Sequence, residues 1–210
     1  SNGVTDIISN KFAFAALKQD GSVVTWGDGF SYTDYGQKAE AIKSGVNRVF
    51  PFGDGFAALK SDGSTVMWGP GISWTILEAT DPKPKQFVST NRERAILLED
   101  GSVLNYGYNW TNFYKRLVGK DLETDVKNIY ANDHGFAALK VDGSVITWGD
   151  ADGLSLDIKV NSGISQIFST SKAFAALKYD GSVISWGDSQ YGGDSSSVTD
   201  KLKSGVTRIF

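Results

Sequence analysis

The chain is 210 residues long, with 21 Lys and Arg against 24 Asp and Glu, a net charge of -3, 24 glycines, four prolines and no cysteine. A pI near 5.2 leaves no basic face of the kind a phosphate backbone requires, so nucleic acid is not expected as a partner. Without cysteine there are neither disulfides nor thiolate zinc sites, and the longest apolar run, Phe12 to Leu17, falls far short of the roughly 20 residues a helix needs to cross a bilayer, so no membrane insertion is expected.

In chain order, Gly3-Val4-Thr5-Asp6-Ile7-Ile8 comes first. It is β-branched and reads as a strand. It has neither the basic start nor the apolar stretch of a signal peptide, so any targeting signal is expected outside this sequence. Phe14 to Lys18 and Ser22 to Trp26 follow as two further short strands around Asp20-Gly21, closed by Gly27. Asp-Gly between apolar runs predicts a hairpin with a type I′ turn, whose two central residues need positive φ.

The same unit returns four times. Its turns fall at Asp20, Asp62, Asp100, Asp142 and Asp180, in steps of 42, 38, 42 and 38 residues, and the last copy reads AFAALKYDGSVISWGD from Ala173 to Asp188. The strand before each hairpin recurs as Gly45 to Phe50, the weaker Lys85 to Val88, Asp125 to Tyr130, Gly163 to Phe168 and, once more without a hairpin, Gly205 to Phe210. A repeat of strand, strand, Asp-Gly turn, strand and connector, about 40 residues long, is the size of a propeller blade. The expected fold is therefore all-β: a β-propeller of about five blades, each an antiparallel sheet of three strands, or four where the connector adds one. The repeats run over 2–43, 44–81, 82–123, 124–161 and 162–203 of a single domain, with 204–210 as a closing strand that pairs with the N-terminus to lock a ring. The alternative is a segment of a longer, seven-bladed array.

Both faces of the hairpin are apolar, as in stacked sheets, and Trp26, Trp68, Tyr106, Trp148 and Trp186 hold one repeated position, expected to be structural and packed between blades. The third repeat departs most, with Arg94 in place of Phe, Ile96 of Ala, Leu98 of Lys and Tyr106 of Trp; drift and a specialised blade, in which Arg92-Glu93-Arg94 meets a partner, are the two readings. The connectors vary most. They carry Tyr32, Tyr35, Trp74, Trp110, Phe113 and Tyr114, aromatics that no repeat symmetry demands and that suit a binding surface on loops. Asp194 to Lys203 is expected to form a turn of helix from a serine cap.

The pattern DGSVISWGDSQYGG, with an Ala-Leu pair before it, Asp-Gly, Trp-Gly five residues later and then a Gly-rich pair, resembles the repeat of the regulator-of-chromosome-condensation family. Tyr35-Gly36-Gln37 is similar to that family's Gly-Gln. The resemblance touches all five repeats and implies a propeller; in repeat length it is nearest bacterial members such as the propeller-type β-lactamase inhibitor protein. The family's Gly-x-x-His before the inner strand is absent, His134 being one position off that register, and the chromatin and nucleotide-exchange activities of some members do not carry over. There is no Gly-His…Trp-Asp pairing of the WD type.

Catalytic chemistry finds little footing. With one histidine, a Ser-His-Asp site is confined to the surroundings of His134, in a turn; Asp150-Ala151-Asp152-Gly153 opens like a calcium loop but lacks its later ligands. No cofactor and no metal site are read, and the chain is not expected to be an enzyme. A non-catalytic binding or scaffold module is expected, engaging a protein partner or serving adhesion from a bacterial repeat protein at the cell surface or secreted. The alternatives are a sugar- or small-molecule-binding propeller and an enzyme inhibitor.

Overall fold

The computed structural model describes residues 3–28, 40–69, 72–79, 82–109, 112–116, 119–149, 159–160 and 162–210. Five antiparallel sheets follow one another along the chain. The first is β1 (Val4–Ser9), β2 (Ala13–Lys18) and β3 (Val23–Gly27); the second β4 (Val46–Phe52), β5 (Gly55–Lys60), β6 (Thr65–Gly69) and β7 (Ile72–Leu77). The third is β8 (Pro84–Ser89), β9 (Glu93–Leu98), β10 (Val103–Asn109) and β11 (Asn112–Arg116); the fourth β12 (Val126–Ala131), β13 (Gly135–Lys140), β14 (Val145–Gly149) and the two-residue β15 (Lys159–Val160); the fifth β16 (Ile164–Ser169), β17 (Ala173–Lys178) and β18 (Val183–Gly187). These are the five blades, each meandering through sequence-adjacent strands. Two compact units are distinguished, Ser1–Phe87 and Val88–Phe210, with the boundary inside β8.

The Asp-Gly turns differ from the expected type I′. Asp20 does not have positive φ, whereas Gly21 does, at 74°. Gly21 N–H donates to Lys18 O at 2.9 Å and Lys18 N–H to Ser22 O at 2.9 Å. That is a type I turn closed by a left-handed glycine, the three-residue hairpin with a G1 bulge. Serine explains the choice: Ser22 donates to Asp20 Oδ1 through its amide at 3.0 Å and its hydroxyl at 2.6 Å. A carboxylate satisfied in this way holds its own residue in the ordinary right-handed region and leaves the left-handed one to glycine. Asp62-Ser64, Asp100-Ser102, Asp142-Ser144 and Asp180-Ser182 repeat both bonds.

The glycines after Trp26, Trp148 and Trp186 have a steric reason. At Gly149, φ is 136° and an added Cβ would lie 2.7 Å from Gly135 Cα across the β13–β14 pair.

One packing scheme recurs inside each unit. In β2 and β3, Ala15, Leu17 and Val23 form a face that receives Val46, Val49, Phe56, Val66 and Trp68 of the next blade. Ala95, Leu97 and Val103 likewise receive Val126, Ile129, Phe136 and Trp148; Ala137, Leu139 and Val145 receive Ile164, Ile167, Phe174 and Trp186. Alternation along each strand sends the Phe and Trp to one face and the small Ala to the other, so a bulky face meets a shallow one at each of these three steps. The Phe and Trp pair across the sheet, with centroids 5.7 Å apart for Phe56–Trp68 and 5.5 Å for Phe174–Trp186. Each buried ring is worth on the order of 3 kcal/mol, which makes these pairs the main anchors of the array.

Trp26 departs from the expected burial. It stacks on Phe14 at 5.4 Å, but is 46% exposed where Trp68 is 1% exposed. Gly205 to Phe210 departs too. It belongs to no strand, and Phe210 is fully exposed. Val206 N–H nevertheless donates to Gly181 O at 3.0 Å, as Val46 does to Gly21, Val126 to Gly101 and Ile164 to Gly143. The segment thus starts as the first strand of a blade does, without itself joining a sheet. A 3-10 helix does precede it, at Ser196–Leu202, but Ser195 makes no side-chain cap; Asp194 Oδ1 accepts the Ser196 amide instead, at 2.9 Å. Among the described residues no helix is long and apolar enough to cross a membrane.

Candidate functional site

Two regions break the repeat, and both involve the third blade. The first is its interior. Glu93 stands where other blades carry Ala or Gly, Arg94 where four have Phe, Asn105 where others have Thr, Met or Ser, and Tyr106 where four have Trp. β9 and β10 set them side by side, pairing Arg94 with Tyr106 and Glu93 with Gly107. Glu93, Arg94 and Asn105 are all buried, Asn105 to 2% exposure. Asn105 Nδ2 donates to Glu93 Oε2 at 3.2 Å. Arg94 Nη1 donates to Thr90 O at 2.8 Å and Glu93 O at 3.0 Å, so its guanidinium closes the β8–β9 turn of its own sheet. Burial pushes the Tyr106 phenol above its ordinary value, because a phenolate is poorly solvated there.

Arg94, expected to meet a partner, is therefore held within the blade. Arg92 is exposed, and its amide donates to Thr90 Oγ1 at 3.1 Å. Thr90 is one of a set that the repeat pattern conceals: Asn10, Asn132 and Thr170 cap the same turn in the first, fourth and fifth blades by accepting the amides that follow. His134 lies two residues after such a cap. Its amide donates to Asn132 Oδ1 at 2.9 Å, which ties it to turn geometry. Asn10 also bonds to the next blade: its Nδ2 donates to Asp54 O and Gly55 O, each at 3.0 Å.

The second region is the fourth strand. Trp74, expected in a connector, lies on β7, the outer edge of the second sheet. The pairing jumps from Gly69↔Ile72 to Met67↔Thr75, so Ser73 and Trp74 together stand opposite Trp68. Such a bulge kinks an edge and is common where a side chain is re-aimed. Phe113 and Tyr114, also expected in a connector, lie on β11, the outer edge of the third sheet, opposite Tyr108 and Gly107. Trp110, between β10 and β11, and Tyr32 and Tyr35 of the first connector lie outside the described residues. What connectors contribute in the second and third repeats is thus an edge strand bearing aromatics. An edge strand keeps a row of unpaired backbone donors and acceptors available to a partner.

The five Asp-Gly-Ser turns add the clearest electrostatic feature. The Ser22 hydroxyl, then its amide, pull Asp20 down to about 2. Asp62, Asp100, Asp142 and Asp180 are lowered from the same first cause. They are fixed, solvated anions that hold turns. Among the described residues no group of His, Asp and Glu is placed to hold a metal ion.

No family model and no curated protein matches the chain. Solved structures do resemble it. Human WBSCR16 does so with a TM-score of 0.63 and 16% identity, over 91% of this chain and 63% of its own. Yeast RCC1 (Prp20), solved bound to Kap60, gives 0.61 and 16% over 91% and 57%. The Prp20p structure from Saccharomyces cerevisiae described with its binding to Gsp1p and histones gives 0.59 and 17% over 89% and 58%. At such identities the likeness shows the fold: an RCC1-type β-propeller fold, here with five blades. The chain spans 63% of the length of WBSCR16 and 57% of that of the Kap60-bound Prp20.

Proposed function

We propose that the chain is a non-catalytic binding module whose partner is a protein, engaged along an outer strand edge, that of the second blade or, independently, that of the third. Trp74 is the anchor on the edge of the second blade and Phe113 and Tyr114 are the anchors on the edge of the third; Arg92 at the β8–β9 turn and, from the connector sequences, Trp110, Tyr32 and Tyr35 are further candidates. The observation that carries this is the contrast between the repeated frame and β7 and β11, edge strands bearing aromatics that the repeat does not call for. Large aromatics dominate binding energy where they occur on protein surfaces, and a strand edge adds backbone pairing to them. That Prp20 is described with Kap60, Gsp1p and histones, all proteins, supports the same class of partner for a chain of this fold. Within that class the finer reading is adhesion by a bacterial surface or secreted protein, for which variable edges on a constant frame are well suited.

The test is capture of partner proteins on the immobilised chain, repeated with Trp74→Ala and with Phe113→Ala/Tyr114→Ala. Loss of a captured protein with the melting temperature unchanged supports the reading. Capture unchanged by both variants refutes the site, and saturable binding to a glycan array in place of any protein refutes the partner class.

A further inference from the structure

We infer that the β11 edge of the third blade, taken as a docking edge under the reading proposed above, accepts an extended acidic segment of a partner protein as a further antiparallel strand. Two consecutive acidic residues of that segment face Arg116 and Lys115, and the two apolar residues that follow face Tyr114 and Phe113. Charge selects the partner. The chain is net -3, yet residues 101–120, between Asp100 and Asp121, hold Lys115, Arg116 and Lys120 and no acid. Two of those cations fall on β11, Asn112–Arg116, and β10, its one strand neighbour among the described residues, is uncharged. The edge strand of the second blade, β7, carries no charge at all. An acidic segment is therefore drawn to the third blade rather than to the second.

Register supplies the pattern. β11 pairs with β10 from Asn105↔Arg116 to Asn109↔Asn112 without a shift, and it ends the strand order β11-β10-β9-β8. With alternation intact, Phe113 and Lys115 share one face of the sheet and Tyr114 and Arg116 the other, the two members of each pair about 7 Å apart along the strand. Each face thus offers one aromatic and one cation. Every strand pair described in the five sheets is antiparallel, and one more such strand runs from Arg116 towards Phe113. Its residues opposite Arg116 and Lys115 come first and suit carboxylates; those opposite Tyr114 and Phe113 come next and suit apolar side chains. Because the added strand alternates as β11 does, one acidic and one apolar residue fall on each face. Backbone pairing at the edge favours any strand, and the four cross-strand positions confer selectivity. Cations on an edge also guard it against indiscriminate pairing, which leaves an acidic strand as the kind that gains by joining.

Fluorescence anisotropy of the full chain against a labelled, capped peptide of about ten residues, with Asp-Asp-Val-Phe at its centre between threonines, tests this. Saturable binding that weakens as salt rises from about 50 to about 500 mM is expected. Lys115→Gln/Arg116→Gln should weaken it roughly three- to thirtyfold, two exposed charge pairs being at stake, and circular dichroism checks that the variant folds. Lys-Lys in place of Asp-Asp in the peptide makes the same test on the unaltered chain and should weaken binding at least as much. The reversed order, Phe-Val-Asp-Asp, should bind several-fold worse. Of two peptides N-methylated at alternate residues in opposite phase, one should lose binding, because a strand pairs with its neighbour through every second N–H. Absence of binding up to about 1 mM peptide overturns the inference. So does undiminished binding by both N-methylated peptides, which would mean contact without strand addition, or by the reversed peptide, which would remove the register, or by the folded double variant, which would place the acids elsewhere. Should the peptide fail while Phe113→Ala/Tyr114→Ala still releases a captured protein, the docking edge stands and its acidic occupant alone is overturned.

Discussion

Replacing Trp68 by alanine is expected to destabilise the chain by about 3–5 kcal/mol, the usual cost of truncating a buried aromatic, whereas the same change at Trp26 should cost at most about 2.5 kcal/mol, in keeping with its exposure. The two residues occupy the same repeat position and stack on equivalent phenylalanines. Trp68 is 1% exposed in a cluster with Ala15, Leu17 and Val23 of the preceding blade, while Trp26 is 46% exposed. Burying roughly 200 Å² of ring at about 25 cal/mol/Å² gives about 5 kcal/mol for the first site, of which a half-exposed ring keeps at most half and loses only that part. Urea unfolding followed by far-UV circular dichroism measures both. Thermal melts should agree, with Trp68→Ala lowering the melting temperature by roughly 6 °C or more. Equal losses at the two sites would refute the reasoning, since Trp26 would then be as buried in solution as Trp68.

Four further outcomes follow from the same geometry. The Asp of each Asp-Gly-Ser turn is held below its ordinary carboxylate value of 3.8, so its contribution is complete above pH 3.8 and is lost as pH falls below it, through about 2 at Asp20; urea midpoints should drop as the pH is lowered from 4, and Ser→Ala at 22, 64, 102, 144 and 182 together should flatten that slope. Gly149→Ala, which sets a Cβ 2.7 Å from backbone, should destabilise well beyond Gly163→Ala, where φ is also positive but no atom lies within 4 Å and the cost is about 1–2 kcal/mol for the left-handed backbone alone; denaturant titrations of the pair decide it. Arg94→Ala removes two charge-assisted bonds to buried carbonyls and should cost about 2–4 kcal/mol, while Arg92→Ala leaves the unfolding midpoint within about 0.5 kcal/mol of the parent, as for a surface change. Deleting Gly205 to Phe210 should leave the melting temperature within a few degrees, because the segment joins no sheet; a loss of several kcal/mol would restore it as a closing strand.

The repeat was legible because it rests on short-range physics. Asp-Gly-Ser makes its turn from three adjacent residues, alternation assigns faces within a strand, and the spacing of the five turns counts the sheets; none of this needs a distant partner. Even there the turn type was misread, since Asp-Gly alone points to type I′ and it is the serine that keeps Asp20 out of positive φ. The candidate site was legible only as an irregularity. Arg94 and Tyr106 stand out against Phe and Trp in the other repeats, but that the guanidinium turns inward to two carbonyls depends on how β8 and β9 meet. Trp74, Phe113 and Tyr114 were visible as unexplained aromatics, and their place on edge strands depended on β7 and β11 pairing across their sheets. Trp26 and Trp68 make the same point most sharply. Both sit in the same Trp-Gly step after the same hairpin, and local sequence gives them the same strand, face and stacking partner. Their burial differs because it is set by the neighbouring blade, a contact between repeats that no repeat encodes by itself.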